Sequence, residues 1–332
     1  MAQFGIGSWN IRNFSAEHAN NPILQVEQFT PGVFTQLSVR HLLARQALAG
    51  NPDMLGIMEV TLGNGKIASE ILRDAMNEYA VHLGPHMDFK VFVSDRNVAT
   101  KSKKKVVGRA ERYSLIINGK VFSTQFRHEF ADGYGFSSRM PLRVEMELLS
   151  TNQVIDIVLW HAPNPEQMKL QAGSELEALE DFINDIRRDV GNRPMVVAGD
   201  FNVDSASMHF DVITDLDLSS EFEGVATMVR SADELYKQLS KLLEEQLAGT
   251  SITVEDVANA MLGNAYDNMF VGDVHGSTAY RLNLPLRMST LRDANPSDPL
   301  VNLLLLKDNL IAAAAEARAL SDHCPIFVTL TI

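Results

Sequence analysis

The chain has a single cysteine, Cys324, in 332 residues. It cannot close an internal disulfide, which fits a reducing compartment and leaves stability to a packed core. At the head of an apolar run, Cys324 reads as a small buried residue and not as a nucleophile. No apolar stretch approaches the roughly 18–20 residues of a membrane span. The start, Met1-Ala2-Gln3-Phe4, has neither a basic nor an apolar region of the secretory kind, so a cytoplasmic, non-membrane protein is expected. There is no Walker loop, no zinc spacing of Cys and His, no Gly-x-Ser-x-Gly elbow and no Gly-x-Gly-x-x-Gly after a strand. No repeat period or low-complexity segment appears. Positive charge is also scarce: 29 Lys and Arg against 42 Asp and Glu leave a net charge of −13. Taken globally, that argues against nucleic acid, whose affinity comes largely from cations on phosphates. A binding face is local, however. Basic residues collect at Lys101, Lys103, Lys104, Lys105, Arg109 and Arg112, just before and after the candidate Glu111. The cluster is either a solvated loop or a phosphate grip.

Hydrophobic residues make up 45% of the chain, enough for a sizeable core. Strands are expected at Phe4–Ile11, Met54–Val60, Arg112–Ile117, Leu142–Leu149, Val154–Trp160, Met195–Ala198, from Met269 to Val271, and at Pro325–Ile332. Helical spacing predicts helices over Val33–Leu48, over Ile67–Tyr79, and along Leu176, Leu179, Phe182, Ile183 and Ile186. Strands and helices alternate, which favours a layered α/β sandwich over a bundle. The acidic stretch 205–263 differs: Leu235, Leu239, Leu242, Leu243 and Leu247 form a helical stripe. It is expected to be a helical insertion in a single domain spanning 1–332, packed on the main body or offered to a protein partner.

Chemistry-bearing residues stand at the ends of the strand-like runs. Glu59 follows a buried run, where a charge is costly unless paired or metal-bound. Mg²⁺ prefers oxygen ligands and usually takes only one or two protein carboxylates, and Glu59 fits that role. Asp200 and Asn202 are two apart after a strand, a spacing that lets both face one site while Phe201 turns into the core. An Asx turn after the strand is the plainer alternative. His161 and His323 are two strand-end imidazoles, which suits proton transfer, with Glu111 and Asp267 as carboxylates to orient them.

The ordered set Trp9-Asn10-Ile11-Arg12-Asn13-Phe14, Met58-Glu59-Val60, Glu111-Arg112-Tyr113, Ser138-Arg139-Met140-Pro141, His161-Ala162-Pro163, Gly199-Asp200-Phe201-Asn202-Val203-Asp204, Ala265-Tyr266-Asp267 and Ser321-Asp322-His323 resembles the endonuclease/exonuclease/phosphatase superfamily, and within it the deoxyribonuclease I branch. The resemblance implies a four-layer α/β (α+β) sandwich, two packed mixed β-sheets flanked by helices. It implies Mg²⁺, replaceable by Mn²⁺, with Glu59 as ligand and Asn10, Asp322 and Asp200 at the metal site. His161 would pair with Glu111 and His323 with Asp267, while Asp200 and Asn202 act at the scissile phosphate. Arg12 and Arg139 would hold phosphate, joined by Arg109, Arg112, Lys103, Lys104 and Lys105 on DNA. The implied activity is hydrolysis of a DNA phosphodiester with little sequence preference. Two positions depart from the DNA-cutting relatives: Thr61 stands where an arginine enters the minor groove, and Arg109 where a tyrosine stacks on a sugar. No calcium site carries over. The alternatives are the same chemistry on a phospholipid, phosphoinositide or other small phosphodiester, and an inactive binding module. All of Glu59, His161, Asp200 and His323 are present, which weighs against the module.

Overall fold

The computed structural model describes residues 1–27, 34–81, 87–95, 111–285, 287 and 303–332. The strands are β1 (Gln3–Phe14), β2 (Pro22–Glu27), β3 (Phe34–Ser38), β4 (Met54–Thr61), β5 (Phe89–Val93), β6 (Glu111–Asn118), β7 (Arg127–Phe130), β8 (Leu142–Leu148), β9 (Gln153–His161), β10 (Met195–Asp200), β11 (Ser219–Ser220), β12 (Asp267–Gly272), β13 (Gly276–Arg281) and β14 (Ile326–Thr331). The helices are α1 (Ala16–Asn20), α2 (Val39–Ala49), α3 (Gly65–Ala80), α4 (Pro165–Val190), α5 (Asp211–Thr214), α6 (Ala232–Leu247), α7 (Val254–Ala260) and α8 (Leu303–Leu320).

Two six-stranded sheets, ordered β13-β14-β1-β4-β6-β5 and β11-β12-β10-β9-β8-β7, lie face to face. Each is mixed: β1 runs parallel to β4 and β9 parallel to β10, while the other pairs in these sheets are antiparallel. Three apolar layers separate the sheets and helices. The central one joins Phe4, Ile6, Met58 and Leu115 of the first sheet to Val144, Ile157, Val196 and Met269 of the second. An outer layer packs Trp9, Ile57 and Phe327 against α2, α3, α6 and α8. The other packs Val158, Trp160 and Val197 against α4, with Leu176, Leu179, Phe182 and Ile183 on the buried face, as their spacing predicts. The result is the expected four-layer sandwich.

The expected helix over Val33–Leu48 begins later. Residues 34–38 form β3, paired antiparallel with β2, and α2 starts at Val39. The sequence Phe34-Thr35 favours strand over helix, so Leu37 lies outside the helix. In the 205–263 segment, Leu235 and Leu239 are buried and Leu242 and Leu243 partly buried against the outer core. The stripe stops there: Leu247 is 72% exposed, contrary to the expectation that it continues the same face. Capping boxes close both α6 and α7, Ser231 with Glu234 and Thr253 with Asp256.

Candidate active site

Period-two alternation assembles most of the site. Even residues of β1 and β10 face the space between the sheets, as Phe4, Ile6, Val196 and Ala198 do. Asp200 continues its row at the end of β10, and Asn10 does so where β1 loses register with β4. On β6, β9 and β12 the odd residues face inward, as Tyr113, Leu115, Leu159 and Met269 do. Glu111, His161 and Asp267 extend them. Across the second sheet, Asp200 is registered with His161 on one side and Asp267 on the other. The carboxyl ends of two parallel pairs and the amino ends of their antiparallel neighbours therefore put five polar side chains over one end of the central core.

Glu59 breaks its own row. Met54 and Met58 face the central core while Leu55 and Ile57 face the helices, so strict alternation would turn Glu59 outward. Its φ of 58° and a register shift between Ile57 and Val60 bring it into the site instead. A left-handed conformation is unfavourable for a side chain of this kind and persists only where surrounding contacts hold it. Here Asn13 N donates to Glu59 Oε2 at 3.0 Å and Asn10 Nδ2 to Glu59 Oε1 at 3.2 Å. Asn10 Nδ2 also donates to Asp200 Oδ2 at 2.9 Å, which couples the two sheets.

Both imidazoles are backed by carboxylates. His161 Nδ1 lies 2.5 Å from Glu111 Oε1, and His323 Nδ1 lies 2.8 Å from Asp267 Oδ2. Their Nε2 atoms converge on Asp200 Oδ2, at 3.7 Å from His161 and 3.5 Å from His323. Burial alone would strip His323 of its proton, but Asp267 and Asp200 on either side raise its pKa to about 10. Burial likewise raises Asp267, with His323 pulling the other way, so the pair retains one proton and the ring carries it. Burial would also raise Asp200, yet the two histidines hold its carboxyl below the ordinary range. For His161, burial opposes the charge, and Glu111 outweighs both burial and Arg139 to leave its pKa raised. Arg139 Nη1 nevertheless sits 3.0 Å from His161 Nε2 and donates to Ala162 O at 2.7 Å. A guanidinium has no acceptor, so this geometry places the His161 proton on Nδ1, toward Glu111.

Asn202 joins Asp200 through a turn and not through an extended strand. Its φ is 52°, its backbone N–H donates to Asp200 Oδ1 at 3.0 Å, and Phe201 is buried in the outer core. The plainer alternative, an Asx turn after the strand, is therefore the geometry found, with Phe201 buried as expected. One Asn202 amide hydrogen is committed to Ala162 O at 3.2 Å. The turn bearing Asp322 is tied to β1 by Ser321 Oγ on Asn10 O, while the Asp322 carboxylate pairs with Arg12 at 3.4 Å and Arg318 at 4.0 Å. Arg12 is largely exposed beside it, and Arg112 lies half-buried on β6. Lys103, Lys104, Lys105 and Arg109 lie outside the described residues.

The donor set fits a divalent ion at one place. Asn10 Oδ1 is buried and has no hydrogen-bond partner, although Asn10 Nδ2 is bound to two carboxylates. An unmatched amide oxygen beside Glu59 is the kind of ligand a hard cation takes. Asp200, Asp267 and His323 also bring ligand-type atoms within 4.8 Å of one another. There, however, His323 Nδ1 is already engaged with Asp267, whereas the Asn10 amide oxygen is unmatched, so the Asn10–Glu59 side suits an ion better.

Two supports carry no role in the sequence reading. Tyr113 OH accepts from His161 N at 3.0 Å and donates to Met140 O at 3.1 Å, joining β6, β9 and the Arg139 turn. Thr227 is fully buried, accepts from Asp267 N at 3.2 Å and receives Cys324 N on its carbonyl at 2.8 Å. The 205–263 segment thus braces the His323–Asp267 pair. Inward alternation along β6 was a signal for Tyr113; nothing local marks Thr227.

Comparison places this architecture among known structures. Truncated TDP2 of Caenorhabditis elegans superposes with a TM-score of 0.53 at 10% identity, over 99% of this chain and 98% of that one. A mannosyl-6-phosphatase of Bacteroides thetaiotaomicron VPI-5482 gives 0.51 at 12%, over 99% and 100%. The human nocturnin catalytic domain with bound sulfate gives 0.50 at 13%, over 99% and 94%. Such identities establish the fold alone. No curated protein matches the sequence. The model of the Endonuclease/Exonuclease/phosphatase family matches residues 7–253, which hold Asn10, Glu59, Glu111, His161, Asp200 and Asn202. The chain therefore belongs to the endonuclease/exonuclease/phosphatase family.

Proposed function

We propose that this protein is a Mg²⁺-dependent phosphodiester hydrolase that cuts DNA as an endonuclease of the deoxyribonuclease I type, with little sequence preference. The observation that carries the hydrolase reading is the convergence of two carboxylate-backed imidazoles on Asp200 Oδ2, at 3.5 and 3.7 Å. Two imidazoles, each oriented by its own carboxylate and facing one point, are what acid–base chemistry at one phosphate needs. His161 is oriented by Glu111 with its Nε2 lone pair free to accept a proton once phosphate draws Arg139 away. His323, charged between Asp267 and Asp200, can donate from Nε2. Water then loses a proton to His161 as its oxygen bonds to phosphorus, and the leaving oxygen takes a proton from His323. Asp200 holds both rings, and Asn202 and Arg139 hold phosphate oxygens. Glu59 and Asn10 would hold Mg²⁺, which would supply charge neutralisation at the phosphate.

DNA is preferred as substrate on the motif resemblance and on the basic residues around Glu111; among the described residues the large exposed hydrophobic side chains include one aromatic, Tyr236, and no aromatic cluster of the kind a lipid surface would engage. Purified protein is to be assayed on supercoiled plasmid, single-stranded DNA, RNA, a phosphoinositide and a sugar phosphate, each with Mg²⁺ and with chelator. Plasmid nicking that chelator abolishes and Mg²⁺ or Mn²⁺ restores is expected. Full activity in excess chelator overturns the metal assignment, and turnover confined to the phosphoinositide or the sugar phosphate overturns the DNA substrate.

A further inference from the structure

Arg139 lies between β7 and β8, outside any helix or strand, yet it sits on the His161–Glu111 pair. Something must hold its backbone, and three ties do. Tyr113 OH donates to Met140 O, and Trp160 Nε1 donates to Arg139 O at 3.3 Å. The third comes from the helical layer: Ser137 N donates to Glu175 Oε1 at 3.0 Å.

Glu175 is out of character for its position. It lies mid-way along α4, on the buried face between Ala172 and Leu176, and is only 2% exposed. Burial raises its pKa, against hydrogen bonds from the Ser137 side chain and backbone N–H. Its second oxygen, Oε2, is buried without a hydrogen-bond partner. An apolar residue would fit this face at lower desolvation cost. What it could not do is accept the Ser137 N–H. The same turn is anchored further along α4, where Tyr134 OH donates to Asp185 Oδ2 at 2.8 Å and the Tyr134 ring packs on Phe182.

We infer that Glu175 is a positioning residue for phosphate binding: its Oε1 fixes the Ser137–Met140 turn so that the Arg139 guanidinium stands over His161, ready for a substrate phosphate. This rests on Arg139 binding phosphate, as in the proposed function. Losing this acceptor at a cost of about 1–1.4 kcal/mol corresponds to roughly a 5- to 10-fold weakening.

The test measures affinity for inorganic phosphate by calorimetry, and KM and kcat on duplex DNA with Mg²⁺. It compares Glu175→Ala, Glu175→Gln, Arg139→Ala and the Glu175→Ala/Arg139→Ala double variant, all checked for folding by circular dichroism. Glu175→Leu, which retains the apolar volume, substitutes if Glu175→Ala does not fold. The expectation is that Glu175→Ala weakens phosphate and raises KM roughly 5- to 10-fold with a smaller change in kcat. Glu175→Gln, which keeps the acceptor, should restore both to within about twofold. Adding Glu175→Ala to Arg139→Ala should change neither further. A folded Glu175→Ala with parental affinity overturns the inference, as does a Gln variant no better than Ala or a fully multiplicative double variant. If the parent binds phosphate with this pattern yet cleaves no phosphodiester, the positioning role stands and the hydrolase reading falls.

Discussion

His323 is buried with a carboxylate on each side, Asp267 at 2.8 Å and Asp200 at 3.5 Å. Its pKa is raised from an ordinary value of about 6.5 to about 10. Because the folded value lies above the unfolded one, the stabilisation is fully present below about pH 6.5 and is lost as pH rises through about 10. The stability gap between the parent and His323→Ala, both in chelator, should therefore be widest in mild acid and narrow steadily toward pH 10. Denaturant midpoints across that range measure it, and a gap that grows with pH would mean the ring is neutral when folded. For catalysis, His161→Ala and His323→Ala should each lower turnover on the order of 10²–10⁴-fold, the usual contribution of an acid–base group. The double variant should lose less than the product, since both rings serve one step. Near-parental turnover in either folded single variant would make it a structural histidine. Both histidines and both carboxylates were legible in the sequence as strand-end residues. Glu59 was legible as a candidate, but its left-handed backbone was not, because alternation along β4 points it the other way.

At the scale of elements, the site depends on β9 and β10 staying in register, and Gly199 is the hinge of that requirement. A Cβ built there would lie 1.8 Å from Trp160 O, inside the backbone of the neighbouring strand. Gly199→Ala should force the two strands apart next to His161 and Asp200 and cost more than the about 1–3 kcal/mol of ordinary overpacking. Thermal unfolding should show a large drop or no cooperative transition, and a parental melting temperature would refute the close approach. Four of the strands missing from the sequence reading share one trait. β5, β7, β11 and β13 are the outermost strands of the two sheets. Edge strands are half-exposed and lack the continuous apolar run of a central strand, so no side chain of β7 or β13 is fully buried. α8 escaped notice for the opposite reason: its Leu and Ala residues go all round, leaving no amphipathic period to find.

For the whole molecule, a net charge of −13 means that any grip on DNA must be local. The resemblance to deoxyribonuclease I implies that Thr61 and Arg109 stand where that branch has side chains for the minor groove and a sugar, so the proposed grip is on backbone phosphates, which is sensitive to salt and insensitive to sequence. Replacing Lys103, Lys104 and Lys105 together with Ala should raise KM, flatten its dependence on salt and leave kcat little changed. Coincident salt slopes for parent and triple variant would assign the lysine run to a solvated loop.

The sequence by itself determined the ingredients and, through alternation, much of their direction. Apolar runs ending in Asn10, Glu59, His161 and Asp200 specify strands with polar ends, because side-chain burial follows the two-residue period of the backbone. Charge balance and the lone Cys324 follow from composition alone. Tertiary structure decided which ends meet. Asn10 reaches Asp200 across 190 residues, His323 reaches Asp267 across 56 and His161 reaches Glu111 across 50. It also decided that Tyr113, Thr227 and Glu175 brace the site, since no local pattern marks a hydroxyl or buried carboxylate whose partner lies on another layer. The physical reason is that periodicity constrains the face a residue occupies, whereas the partner on that face is set by how two sheets stack and register.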